Sequence, residues 1–195
     1  MIRILALDPG SEECGGAVLH HDQGRTRYVQ GFHGDFAKVG LHATADWNGD
    51  CDALILELIE GYAFNAARVA DMVKTARHEG IILGIAQAAN MKPMTTTASE
   101  ARGLLCRAKN ASDAQVAIVV EALVAGAPKH LRKVDRQHIY DACLYGLVGL
   151  MRLGARFKLP PAAEAALHIQ REKERAAASA KGKATKAARQ MGAFR

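Results

Sequence analysis

The chain contains no run of about 18 or more uncharged apolar residues, the length that a membrane-spanning helix needs, so a membrane partner is excluded from the expectation. Nor does it open like a secretory signal: Met1 is followed by Arg3 and by a short apolar run that meets Asp8. A soluble, cytoplasmic protein is expected. There are four cysteines, Cys14, Cys51, Cys106 and Cys143, and none forms a CxxC pair or stands near a histidine at zinc-finger spacing. They are expected as reduced thiols packed like small apolar groups. No internal repeat is visible. What is present is a chain of 195 residues, 49% hydrophobic and 24% charged, enough for one sizeable core.

The net charge of +6 is unevenly placed. Residues 1–170 hold 18 Lys/Arg and 18 Asp/Glu, whereas residues 171–195 hold 8 Lys/Arg against only Glu172 and Glu174. All the excess cation is in the tail. Its Ala-rich, basic sequence buries little apolar surface, so frayed helix or disorder is expected, with cations that suit a polyanion or simply keep the chain soluble. Pro160-Pro161 separates it from the rest, giving a body of residues 1–159 and a tail of residues 160–195.

Along the body, IRILALD (2–8) is an apolar strand stopped by Asp8-Pro9-Gly10. Residues 15–20 and 26–32 read as two more strands joined by a turn at Asp22-Gln23-Gly24, an antiparallel meander. Residues 35–47 suit a short helix or loop. DALILE (52–57) repeats the first pattern, a strand covered on both faces that ends in an acid. Three- and four-residue spacing predicts a helix from about Ala63 to Ala89, although IILGI within it also suits a strand. Lys92 to Thr96, with Pro93, fits an edge strand. Ser99-Glu100 and Ser112-Asp113 each open a helix, and a strongly periodic helix runs from about Val134 to Leu153, ending at Gly154. The pattern predicts an α/β fold, a mixed sheet with helices on its faces.

Two buried strands that end in Asp8 and Glu57 bring two carboxylates to one end of the sheet if they are parallel neighbours. His138 and Asp141, three apart on the last helix of the body, share a helical face. Carboxylates with an imidazole are the ligands that Mg²⁺ or Mn²⁺ chemistry on phosphodiesters requires. Taken singly each signal is ordinary: Asp-Pro-Gly is a turn, Glu60 rivals Glu57, and HxxD recurs by chance. Their order along the chain carries more.

In that order, LALDPGSEECGGAVL resembles the opening of the RuvC family of Holliday-junction resolvases. ALILELIEGYAFNAARVADM is similar to that family's strand ending in Glu with the Asn that follows, and HIYDACLYGLVGL to its closing helix. TASEARGLLCRAKNASDAQV tracks a stretch in which a serine and a glutamate precede a basic residue, and there Arg102 takes the first basic place. The resemblance spans residues 1–155. It departs after Leu105, where the turn glycines are absent, and at Asp113, which stands where the family has a lysine and leaves Lys109 or Arg107 as substitutes.

The resemblance implies an RNase H-like mixed five-stranded sheet flanked by helices over residues 1–159. It implies a homodimeric endonuclease that uses Mg²⁺ or Mn²⁺ to nick four-way DNA junctions in recombination and repair. Asp8, Glu57, His138 and Asp141 would be the catalytic and metal residues, His138 as ligand or proton-transfer group. Tyr62, Phe64 and Asn65, just after Glu57, would touch the branch point, and Arg102, Arg107 and Lys109 would hold backbone phosphates. A nuclease on another branched DNA or on structured RNA is the nearest alternative. A sugar-kinase-like or chaperone-like ATPase needs a longer chain, and a non-catalytic DNA-binding relative would not need a competent side chain at all four acidic-site positions.

Overall fold

The computed structural model describes residues 1–10, 12–36, 50–58 and 69–192. Strands β1 (Ile2–Pro9), β2 (Glu13–Asp22) and β3 (Arg25–Asp35) form the expected antiparallel meander. In the β2–β3 turn Gln23 has φ 48° and Gly24 φ 75°, the successive left-handed residues whose twist matches that of the strands they join. Strand β4 (Ala53–Glu57) pairs with β1 in parallel, and β5 (Lys92–Thr96) pairs with β4 in parallel at the sheet edge, where Pro93 is tolerated. The five-stranded expectation falls short by one. Val124–Ala125 (β6) adds beside β3, giving the order β5-β4-β1-β2-β3-β6; two residues are too few to leave a periodic signal in the sequence.

Among the described residues five helices accompany the sheet: α1 (Val69–Ala88), α2 (Ala98–Leu105), α3 (Asp113–Leu123), α4 (Lys133–Arg152) and α5 (Pro161–Gly192). The IILGI segment lies in α1, where Thr75, Glu79, Ile82 and Ala86 make a buried stripe at steps of four and three. The cap of α2 is Thr97 rather than Ser99. Thr97 Oγ1 accepts from the Glu100 N–H at 3.2 Å, and Glu100 stands three residues beyond it, as in a capping box. Ser112 caps α3 as expected, accepting from the Gln115 N–H. Gly154, at φ +98°, follows the end of α4. No described helix is long and apolar enough to cross a membrane, and all four cysteines are free and buried.

Alternation along β1 and β4 divides the core into two layers. Leu5, Leu7, Leu54 and Leu56 cluster with Ile82 and Ala86 of α1. Their alternates meet α4: a Cβ placed on Gly146 would lie 3.3 Å from Ala6 Cβ, and one on Gly149 would lie 3.2 Å from Ile55 Cγ2. Asp8 continues the Ile4–Ala6 series and Glu57 the Ala53–Ile55 series, so period two turns both acids toward α4.

The chain divides into two compact units, Met1–Leu159 and Pro160–Arg195. The second is a helix of 32 residues, where the sequence reading expected frayed helix or disorder. Alanine-rich composition favours the helical state, Pro161 suits a first turn, and the pairs Gln170–Glu174 (2.7 Å) and Arg175–Glu172 (2.9 Å) reinforce it.

Candidate active site

A single row crosses four strands. Leu7 is level with Leu56, so Asp8 and Glu57 come next to one another, while Asp8 pairs with Gly15 and Gly15 with His33. The parallel, neighbouring placement that the two terminal acids required is therefore present. Over this row runs α4. A Cβ on Gly15 would lie 2.6 Å from His138 Cβ and 2.8 Å from the His138 carbonyl oxygen, so only glycine at this point admits the helix backbone. His138 then sits between two members of the row. Its Nδ1 is 3.0 Å from Asp8 Oδ2, and its ring stacks on His33 with centroids 4.6 Å apart and planes 9° apart.

Asp141, one turn further along α4, is nearly buried. Its Oδ2 accepts from Gln137 Nε2 at 2.9 Å and its Oδ1 from an Arg102 guanidinium nitrogen at 3.2 Å. Tyr145, a turn beyond, is buried and donates to Glu57. The titration behaviour follows from crowding. Burial, then the hydrogen bond and charge of Asp8, push the Glu57 carboxyl up to about 9. Burial and the Asp8 charge push Asp141 up to about 6, against the opposing pull of Gln137 and Arg102. The Asp8 hydrogen bond, ahead of an opposing desolvation, raises His138 above its usual range.

These residues fit a hard divalent cation. Glu57 and Asp8 hydrogen-bond to each other, so a proton sits where two carboxylates converge, and a divalent ion takes over that position in an oxygen-rich site. Asp141 and His138 supply further donors from the facing helix.

The other predicted residues separate into three places. Arg102 lies in the acidic site: it is half-buried, donates to Asp141 and to the Ala111 carbonyl (2.9 Å), and stands 3.6 Å from Asp113. Asp113, in the position where the resemblance has a lysine, is thus an additional anionic neighbour of that guanidinium. Arg107, with φ 54°, and Lys109 are exposed on the α2–α3 connection, where with Ser99, Glu100 and Leu104 they line a shallow depression. Tyr62, Phe64, Asn65 and the rival acid Glu60 lie outside the described residues.

Four contributors escaped the sequence reading. Gln137 and Tyr145 share α4 with Asp141, and the i, i+4 spacing 137–141–145 is a signal that could have found them. His33 and Glu13 could not be found that way, because their place depends on the β2–β3 register.

No protein-family model matches the chain, and no curated protein matches it by sequence. Solved structures do. The structure of RuvC from Thermus thermophilus is 19% identical, with TM-score 0.61 over 79% of this chain and 98% of that one. The same protein in complex with a Holliday junction substrate is 16% identical, with TM-score 0.62 over 80% and 98%. The Holliday junction resolvase of fowlpox virus is 16% identical, with TM-score 0.50 over 77% and 99%. With a mixed sheet of this order and α4 packed across its centre, the chain has the RuvC-like, RNase H-like fold.

Proposed function

We propose that residues 1–159 are a divalent-metal-dependent endonuclease domain that nicks four-way DNA junctions, and that residues 160–195 add sequence-independent phosphate contacts. The observation that carries this reading is the meeting of Asp8 and Glu57, from parallel neighbouring strands, with Asp141 and His138 from α4. Junction DNA as substrate is supported by what the solved relatives of this fold are described as acting on or binding. In this reading the protein acts as a homodimer, one copy for each of two opposed strands.

Asp8, Glu57 and Asp141 would hold Mg²⁺ or Mn²⁺, with His138 at their margin. When bound, the ion supplies charge neutralisation at the phosphodiester and a stronger nucleophile from water. The chain's own groups do the rest. Tyr145 fixes one Glu57 oxygen by donating to it, and Gln137 fixes Asp141. His138, whose affinity for a proton Asp8 raises, is placed to deliver that proton to the leaving oxygen. Arg102 faces the same carboxylates and exchanges Asp141 for a phosphate oxygen as substrate enters. Arg107 and Lys109 hold backbone further out.

The test is incubation of an end-labelled four-way junction, a linear duplex and a hairpin RNA with Mg²⁺ or with EDTA. Paired, metal-dependent nicks in the junction alone are expected. Equal cleavage of the duplex or of the RNA would replace the junction by another substrate, and no cleavage of any would remove the nuclease reading.

A further inference from the structure

His33 is the least explained group near the row. Its side chain is 9% exposed, and its Nδ1 lies 3.0 Å from Asp135 Oδ1. Asp135 is itself gripped by Arg132, whose Nε is 2.7 Å from Oδ2 and whose terminal nitrogen is 3.2 Å from Oδ1. A carboxylate can only accept, so the hydrogen sits on Nδ1, and neutral His33 keeps a lone pair on Nε2. That Nε2 is buried and has no hydrogen-bond partner, although Glu13 Oε2 is 3.2 Å away. A lone pair aimed at a carboxylate oxygen across this gap is repulsive unless something positive lies between them.

We infer that Glu13, His33 and His138 bind one divalent d-block cation of the zinc type, in a site whose donor set differs from the Asp8, Glu57 and Asp141 carboxylates and shares only His138 with them. Three features support it. One donor atom from each of the three side chains falls within 4.8 Å of the other two. Two ligands each about 2.0–2.1 Å from a tetrahedral zinc ion stand about 3.3 Å apart, which matches the separation of His33 Nε2 and Glu13 Oε2. The Arg132–Asp135–His33 chain has the form of the outer partners that fix the tautomer and orientation of metal-bound histidines. Two imidazoles and one carboxylate select zinc, cobalt or nickel over magnesium, which prefers an all-oxygen shell. The inference is independent of the nuclease reading. Its structural consequence is that the ion would tie β2 and β3 to α4 and hold the His138 ring in register with Asp8.

Zinc titration of the full chain by isothermal calorimetry, in a large excess of Mg²⁺, tests it. One Zn²⁺ per chain is expected, undisturbed by Mg²⁺ and accompanied by a rise in melting temperature. Asp135→Asn should weaken binding by about tenfold through loss of the outer partner, and Glu13→Gln and His33→Gln by more. Glu13 is 56% exposed, so Glu13→Gln folds without difficulty and serves if His33→Gln does not. Glu57→Gln should leave zinc affinity unchanged. Wild-type affinity in Glu13→Gln, loss of zinc in Glu57→Gln alone, or no zinc binding with a doubly protonated His33 ring by NMR would each overturn the assignment.

Discussion

Glu57 makes the metal-free protein less stable than it need be, and Glu57→Gln measures by how much. The carboxyl has an ordinary value of 4.5 and is pushed up to about 9 in the fold, so at pH 7 it is neutral when folded and ionised when unfolded. The sign follows: below pH 4.5 both states are protonated and nothing is lost. As the pH rises the unfolded chain releases a proton that the folded one retains, and stability falls until the folded group itself ionises near 9. Between 4.5 and 7 the loss is about 3 kcal/mol, at about 1.4 kcal/mol per unit. Glutamine reproduces the neutral form: its amide donates to Asp8 and its carbonyl accepts from Tyr145. In EDTA at pH 7, Glu57→Gln should therefore melt about 6–12 °C above the wild type, a gain that disappears near pH 4.5. With Mg²⁺ the wild type should recover stability as the pH rises and the variant should not, while losing cleavage. Thermal melts from pH 4.5 to 9, with and without the metal, report this. Parallel melting curves for the two proteins at all pH values would refute the shared-proton account of the Asp8–Glu57 pair.

Asp8→Asn and Asp141→Asn should each abolish cleavage of the four-way junction while gel-shift affinity is kept, because an amide cannot supply the charge a divalent ion needs; more than about a tenth of the wild-type rate in either would remove that residue from the metal site. Gly15→Ala should cost about 1–3 kcal/mol in a urea melt and reduce cleavage further than stability alone explains, since the added methyl meets His138 backbone 2.8 Å away. Unchanged cleavage would show that the close approach of α4 is dispensable. Deleting residues 171–195 removes 8 cations and should flatten the plot of log affinity against log salt by about 0.9 for each phosphate that the tail neutralises, leaving the preference for junction over duplex intact. An identical slope would show that the tail does not touch DNA.

Half of the site could be read from the chain because it depends on local pattern. Asp8 and Glu57 each stop a strand buried on both faces, and only the parallel pairing of β1 with β4 had to be supplied. His138 and Asp141 are separated by three residues of a helix whose period is plain. The other half depends on register. The hairpin turn pairs Asp22 with Arg25, and continuing without interruption would set Gly15 opposite Phe32. The bulge between Val18 and Leu19 shifts the count by one and sets Gly15 opposite His33, which moves an imidazole rather than a phenyl ring to the α4 side. No composition or periodicity announces that bulge. The helical tail was misjudged for a different reason: its scarcity of apolar surface was weighed, and its alanine content was not.

Helix α4 carries His138, Asp141 and Tyr145 on the same turns as Ala142, Cys143, Leu144 and Leu147, all four of which are fully buried. Opening the helix locally would therefore expose the centre of the body, so amide hydrogens across these turns should exchange only as fast as the whole domain unfolds. The catalytic groups are then stationary on every timescale short of unfolding, and whatever adjustment a bent or branched strand demands must be made by the strand itself or by parts of the protein that can open at lower cost.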